Sequence, residues 1–324
     1  MSEKLQLHFT DLRNYTSCPR KFYFATIERL VRKVEHPALS FGRYGHTLLH
    51  KHYASMCANS NFVEPTEAID VEEDAKDFCN QLVDLYKQEY AKKDQELIIE
   101  SVEDVREVEF NGINILFTID VLYKHYGKYF IMDHKFYERT PNLGIIELDE
   151  QLKGYMLLAR KLGINVHGAV LNIIIKKSLE APPLLKNGKL STAQRTLDHT
   201  TYDLYLKAIT ENNLDPQEYV LELNTLQLRG SGIFMRLPAM VKTNAELANY
   251  KDELRVITTD IQDKLELVSD CEPSQAHSIF YASPSNMCAG CPFLDLCKAR
   301  STMPYENYLE VRNMDYRIKE ETER

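Results

Sequence analysis

Leu116-Phe117-Thr118-Ile119-Asp120-Val121-Leu122-Tyr123-Lys124-His125-Tyr126-Gly127-Lys128-Tyr129-Phe130-Ile131-Met132-Asp133-His134-Lys135 is the stretch on which the reading of this chain turns. Two runs of branched and aromatic residues flank Tyr126-Gly127, the pattern of antiparallel strands joined by a tight turn. A turn centred there sets Asp120 directly opposite Asp133, so both carboxylates share one sheet face. Like charges about 5 Å apart destabilise a sheet, and such a pair is tolerated when something positive sits between them. A divalent cation meets that need. Strand alternation puts Lys135 on the same face. A solvated strand with alternating charges would look similar, but Leu116, Phe117, Ile119, Val121 and Leu122 surround Asp120, and Phe130, Ile131 and Met132 precede Asp133. Acids that interrupt apolar strands ask for partners. A hard ion held by carboxylates activates water and steadies negative charge developing on phosphorus, with a neighbouring Lys to orient the hydroxide, which is equipment for phosphodiester hydrolysis.

Outward from this hairpin, Asn111-Gly112 marks a second tight turn, so 97–137 reads as a three-stranded antiparallel meander. Pro37 opens a helix carrying Leu39, Phe41, Leu48, Leu49, Tyr53 and Met56, which a break over Asn59–Pro65 ends; another helix runs from Thr66 to about Lys92. A helix over 147–162 stops at Gly163, and Val166–Ile175 is apolar enough for a buried strand. Beyond it, Lys176, Lys177, Lys186 and Lys189 surround Pro182-Pro183 and Asn187-Gly188 in a basic loop that either follows a phosphate backbone or is simply solvated, the second being slightly favoured. A helix near 200–213, two short strands near 219–237, a long helix near 241–265 and a charged tail complete the chain.

The 324 residues are 44% hydrophobic, enough for a packed core, and no apolar run approaches the ~18 residues of a membrane span. The amino terminus lacks the apolar stretch of a secretory signal, so an intracellular, cytoplasmic protein is expected. A net charge of -9 excludes binding nucleic acid by bulk electrostatics, so any such function needs a locally basic groove. Seven Cys are an odd number for a disulfide framework. Three of them form Cys288-x2-Cys291-x5-Cys297 among turn residues, and Cys18, before Pro19-Arg20-Lys21-Phe22, is the natural fourth ligand. Four thiolates suit tetrahedral zinc or an iron–sulfur cluster, and spacing does not separate the two. Two further patterns stand out: Gln151-x3-Tyr155, neighbours on one helix face, and Gly42-x3-His46 in the first helix.

Taken in order, Cys18-Pro19-Arg20-Lys21-Phe22, Gly42-x3-His46, Asp120, Asp133-x-Lys135, Gln151-x3-Tyr155 and Cys288-x2-Cys291-x5-Cys297 resemble the RecB-like branch of the PD-(D/E)XK nucleases. The likeness is greatest to members with an iron–sulfur cluster, including the AddB-type, flap-processing and CRISPR-adaptation nucleases and stand-alone phage proteins. Two departures exist: Phe117 stands where the family often has Gly, and Ile119 replaces its Pro.

The resemblance implies an α/β, restriction-endonuclease-like fold with a central mixed sheet flanked by helices. It implies one nuclease domain over 1–324, with 36–175 as its core, 176–270 as an extended part, and 1–35 with 271–300 as a cluster-binding clasp. His46, Asp120, Asp133 and the backbone carbonyl of His134 would bind Mg2+ or Mn2+. Lys135 would assist the nucleophile, with Gln151 and Tyr155 positioning Lys135 and the strand. Cys18, Cys288, Cys291 and Cys297 would hold a 4Fe-4S cluster, zinc being the alternative occupant. The implied activity is exonucleolytic, on single-stranded DNA ends or flaps, in recombination, repair or phage DNA processing, with a helicase or recombination partner or a homo-oligomer as company. Arg20, Lys21, Tyr23 and Tyr155 are candidates for the strand's path, where stacking is indifferent to sequence. The competing reading is a non-catalytic DNA-end-binding or assembly subunit on the same fold; a third is a zinc-stapled interaction protein.

Overall fold

Both hairpins of the meander form, and they sit at the centre of a six-stranded mixed sheet. The structure is a computed structural model and describes residues 5–34, 36–58 and 69–319. Eight strands are present among them: β1 (Gln6–His8), β2 (Leu30–Arg32), β3 (Ile98–Phe110), β4 (Ile113–His125), β5 (Lys128–Tyr137), β6 (Val166–Ile175), β7 (Phe234–Arg236) and β8 (Tyr316–Ile318). Asn111 and Gly112 (φ 50 and 81) close the first hairpin, Tyr126 and Gly127 (φ 47 and 73) the second. Two consecutive positive φ values are those of the type I′ turn, whose twist matches that of paired strands.

Strand β5 pairs antiparallel with β4 and parallel with β6, and β6 pairs antiparallel with β7. The β4–β5 register is the expected one from His125↔Lys128 to Val121↔Met132, and the ladder stops there, one position short of Asp120 and Asp133. Ile115, Ile119, Ile131, Met132, Val166 and Ile173 have no exposed surface, as a sheet covered on both faces requires.

The helices are α1 (Phe9–Ser17), α2 (Pro19–Phe22), α3 (Pro37–Met56), α4 (Glu73–Asp94), α5 (Glu150–Lys161), α6 (Gln194–Leu197), α7 (Tyr202–Glu211), α8 (Val220–Arg229), α9 (Asn244–Ser269), α10 (Ala276–Ile279), α11 (Leu294–Thr302) and α12 (Tyr305–Asp315). Helices α3 and α4 pack together, α3 also against β3, β4 and β5, while α1, α5 and α9 pack on one another and, through α1 and α5, on the sheet. Two glycines set how closely helices approach. A Cβ on Gly45 of α3 would lie 2.4 Å from the Phe136 ring, and one on Gly154 of α5 would lie 2.0 Å from that of Phe9.

Three expectations change. The first strand expected near 219–237 is α8, because its buried residues, Leu223 and Leu226, lie at helical spacing and Gly230 (φ 72) caps its end. The second helix begins at Glu73 rather than Thr66; Thr66 and the break over Asn59–Pro65 lie outside the described residues. The short strands β1, β2 and β8 were not anticipated: β1 pairs parallel with β4, and β2 pairs antiparallel with β8. That last pairing joins the two ends of the chain. It is backed by Arg312 Nε donating to Glu28 Oε2 at 3.0 Å and by Phe24 stacked on Tyr308. A smaller apolar cluster around Tyr205, Ile209 and Tyr219 forms a second centre in the extended region. Among the described residues no helix is long and apolar enough to cross a membrane.

Candidate active site and metal centre

The site lies where β4 loses its neighbour. Along one edge β4 pairs with β1 over Asn114–Leu116 and with β5 over Val121–His125, so Phe117 to Asp120 have no ladder partner on that side. Backbone groups freed by such a fork must find other partners. One does: the His134 N–H donates to Asp120 Oδ2 at 2.8 Å. The fork thus brings the Asp120 carboxylate to the chain at Asp133-His134-Lys135.

Helix α3 supplies the facing groups. His46 Nδ1 lies 3.5 Å from Asp120 Oδ2, and His50, one turn on, has Nε2 3.9 Å from Asp120 Oδ1. Ligand atoms of His46, His50 and Asp120 all lie within 4.8 Å of one another, a spacing that one metal ion can bridge. The second nitrogen of His50, Nδ1, is paired with Glu103 Oε2. Neither His50 nor Glu103 was singled out from sequence. The signal for His50 was present as His46-x3-His50, two imidazoles on one helix face, whereas nothing local marks Glu103.

On the other side, Lys135 Nζ lies 3.0 Å from Asp133 Oδ1 and 2.8 Å from Oδ2. Gln151 Nε2 donates to Asp133 Oδ1 at 2.9 Å and to the Tyr155 hydroxyl at 3.1 Å, so the helical pair does meet the β5 carboxylate. A further residue, Arg13 of α1, donates to Gln151 Oε1 at 2.5 Å, which turns the amide NH2 toward Asp133. The Phe9 ring meets Tyr155 edge-on at 5.4 Å, within the close α1–α5 contact that Gly154 allows.

The electrostatics follow from burial. Burial and the charge of Asp120 push the Asp133 carboxyl up to about 6, against the pull of Lys135. Burial also acts to raise Asp120, but His46, His50, His134 and Lys135 outweigh it and hold that carboxyl below its ordinary value. Two carboxylates in one dry site do not both ionise readily without a cation between them. Lys135 moves upward, its burial overcome by Asp133 and Asp120, so it is protonated in the metal-free site. Burial, ahead of all other causes, lowers His46 and leaves it a neutral donor.

The His134 imidazole lies beside those of His46 and His50, with ring centroids 6.2 and 6.3 Å away. Its Nδ1 lies 2.8 Å from Asn172 Nδ2, its ring stacks on Tyr53 at 5.4 Å, and burial holds its pKa well below the ordinary value. Behind it lies a buried polar network that no sequence pattern announced. Tyr53 and Tyr86 share a hydrogen bond of 2.6 Å, and Tyr53 donates to Asp94 at 2.9 Å. Arg236 of β7 donates to both hydroxyls, at 2.9 and 2.7 Å, and pairs with Asp94. The extended region therefore reaches under the site.

The structure gathers the cysteines of the two chain ends. Cys18 sits at the start of α2, where its sulfur accepts the Ser283 N–H at 3.4 Å, and the Cys288 sulfur accepts the Ser285 N–H at 3.4 Å. Arg20 Nη1 lies 3.7 Å from Cys297 Sγ. Burial raises the Cys291 thiol, and Cys18 and Cys288 push it the same way, which marks these three as neighbours. Three of the four candidate sulfurs, those of Cys18, Cys288 and Cys297, thus have an N–H donor within reach, the kind of contact that supports a ligating thiolate. Cys57 and Cys79 lie elsewhere in helices and strand contacts, Cys57 donating to the Glu100 carbonyl at 3.5 Å.

Two strand-path candidates are not available. Arg20 is committed to the carbonyls of His277 and Phe280, and Tyr23 is buried against Phe280 and His277. Tyr155 is buried as well and meets the site through its hydroxyl alone.

A family description decides what this geometry belongs to: the PD-(D/E)XK nuclease superfamily matches residues 6–298. The chain belongs to the PD-(D/E)XK nuclease superfamily. Its central mixed sheet flanked by helices is consistent with the fold of that superfamily. No curated protein matches this chain. A solved crystal structure, that of SSO0001, is similar to this chain over 54% of its length, and the chain spans about 65% of that structure, with 17% identity and a TM-score of 0.28.

Proposed function

We propose that this PD-(D/E)XK protein is a Mg2+- or Mn2+-dependent DNA exonuclease acting on single-stranded ends or flaps in recombination, repair or phage DNA processing. The observation that carries the reading is the convergence of Asp120 and Asp133 with a half-buried, charged Lys135 at the fork in the sheet. His46, Asp120, Asp133 and the His134 carbonyl would hold the divalent ion. When bound, that ion lowers the pKa of a coordinated water and stabilises charge on phosphorus. Lys135, protonated in the metal-free site, would orient the attacking oxygen and stabilise the negative charge that develops on phosphorus. Gln151, held by Arg13, keeps Asp133 aimed at Lys135, and Tyr155 supports Gln151.

A strand path also has support. At the end of β5 and β6 lies a cavity of about 700 Å³ whose wall includes Lys176, Lys177, Arg195 and His199 with Glu180. It adjoins the site: the Lys176 N–H donates to the Tyr137 carbonyl at 2.8 Å, its ammonium lies 4.9 Å over Phe41, and Phe41 packs on Phe136. Positive charge collected there in a chain of net charge -9 suits a phosphate backbone. The four cysteines would carry a 4Fe-4S cluster that staples residues 18 and 288–297, with zinc as the other occupant of the same donors.

The test is cleavage of 5′- and 3′-labelled single-stranded and duplex DNA by anaerobically purified protein with Mg2+ or Mn2+, alongside iron and sulfide analysis. Stepwise release of label from single-stranded ends supports the reading. Binding without cleavage of any DNA form would replace it with an end-binding scaffold, and zinc without iron would remove the cluster.

A further inference from the structure

His50 and Glu103 extend the site beyond the residues that carry the nuclease reading, and what they imply rests on that reading. Strand β3 pairs with β4 on both sides of Glu103, Val102 with Val121 and Asp104 with Ile119, so Glu103 stands at the register position opposite Asp120. At that position the pairing lapses and Glu103 takes φ 50, a left-handed conformation that costs an ordinary L-residue about 1 kcal/mol or more. Backbone strain of this kind persists where the surroundings over-determine it, and it collects at functional sites. Here it aims the Glu103 carboxylate across the sheet at Nδ1 of His50, whose side chain is only 6% exposed.

A carboxylate on Nδ1 fixes that nitrogen as the N–H and leaves the lone pair on Nε2. Nε2 of His50 faces Asp120, 3.9 Å from Oδ1, while His46 Nδ1 faces the other oxygen at 3.5 Å. The rings of His46 and His50 meet at 5.4 Å with planes 74° apart, so their donor nitrogens approach a common point from different directions. Carboxylate, imidazole and ion in a row is the arrangement by which proteins orient metal-binding histidines.

We infer that His50 is a metal ligand oriented by Glu103, and that the centre therefore presents two imidazoles and the Asp120 carboxylate to one ion and selects Mn2+ over Mg2+. Magnesium prefers oxygen donors and gives up its waters reluctantly, whereas transition-metal ions accept imidazole nitrogen. A site with a single imidazole discriminates less than one with two.

The experiment is a Mn2+ titration of the full chain followed by calorimetry and by pulsed EPR, which counts the nitrogens coupled to the bound ion without needing turnover. The wild-type protein should show two coupled imidazole nitrogens and bind Mn2+ well over tenfold more tightly than Mg2+. His50→Ala should leave one coupled nitrogen and weaken Mn2+ binding tenfold or more, with Mg2+ binding changed less than threefold. Glu103→Gln should weaken Mn2+ binding about tenfold while retaining two nitrogens, the range expected when an orienting partner of a metal ligand is lost. One coupled nitrogen in the wild type overturns the inference whatever the variants do, and so does a His50→Ala protein with unchanged Mn2+ affinity. Either result leaves the nuclease reading standing if Asp120→Ala abolishes Mn2+ binding and cleavage. Failure of the wild type to bind either ion would sink both.

Discussion

Replacing Asp133 by Asn should stabilise the metal-free protein at neutral pH while abolishing cleavage. Burial and Asp120 push the Asp133 carboxyl up to about 6 from 3.8. A group whose pKa is raised on folding binds more protons in the folded state, so its ionisation costs stability as pH rises through that window. The displacement of about two units corresponds to roughly 3 kcal/mol as an upper bound. Asn imitates the neutral acid and still accepts from Gln151, but leaves Lys135 one partner poorer. We therefore expect a gain on the order of 1–3 kcal/mol at pH 8, shrinking as pH falls through about 6 toward 4 and vanishing only below about pH 3, where wild-type Asp133 is neutral in both states. For a chain of this length that is a Tm rise of about 2 to 4 °C. The assay is thermal unfolding in EDTA between pH 4.5 and 8, with and without Mn2+. Added metal should stabilise the wild type more than the variant, which keeps His46, His50 and Asp120 but loses one carboxylate. A variant less stable than wild type at pH 8, or a difference that does not change with pH, would refute the electrostatic account.

Other expectations follow from single contacts. Arg236→Leu leaves Asp94 buried without its cation and should cost about 3–5 kcal/mol by urea unfolding, whereas a paired Arg236→Leu/Asp94→Leu change should recover part of that loss. Gly154→Ala drives a methyl into Phe9 and should lower cleavage at least tenfold by displacing α1, with Arg13, from Gln151; unchanged turnover would show that Arg13 does not position it. His277 is held down to about 3 by burial and by Arg300, Arg20 and Arg312. The unfolded chain takes up the proton first, so stability should be lost as pH falls from about 6.5 toward 3, at up to roughly 1.4 kcal/mol per pH unit. His277→Phe, which keeps the ring against Tyr23, Phe24 and Tyr308, should flatten that acid limb in denaturation measurements. Lys177→Glu with Arg195→Glu should weaken binding of single-stranded DNA and lower the salt slope of binding by about two ions, while leaving Mn2+ affinity unchanged.

The meander was legible because its signals are local: period-two apolar runs, and turns at Asn111-Gly112 and Tyr126-Gly127 whose residues tolerate positive φ. The register that follows from Tyr126-Gly127 correctly led to the neighbourhood of Asp120 and Asp133, but the fork was not readable. It depends on β1, a three-residue strand whose partner lies more than 100 positions away. Helix α8 misled for a related reason. Leu221, Leu223, Leu226 and Leu228 fit alternation and helical spacing about equally, and only burial of Leu223 and Leu226 chose between them. His50 was visible in principle as the second His of an i, i+4 pair, whereas Glu103 acquires meaning only through a break in sheet pairing. Arg236 illustrates the limit most clearly, since a lone Arg in a short strand carries no mark of the three buried groups, Tyr53, Tyr86 and Asp94, that it holds together.

The central claim, that Asp120, Asp133 and Lys135 are hydrolytic machinery, is tested most directly by single-turnover cleavage of labelled single-stranded DNA with Mn2+, comparing wild type with Lys135→Ala. Cleavage should depend on metal and fall by about 10²–10³-fold in the variant, with DNA binding and Mn2+ binding retained. Cleavage by Lys135→Ala at the wild-type rate, or cleavage by the wild type in EDTA, would contradict it.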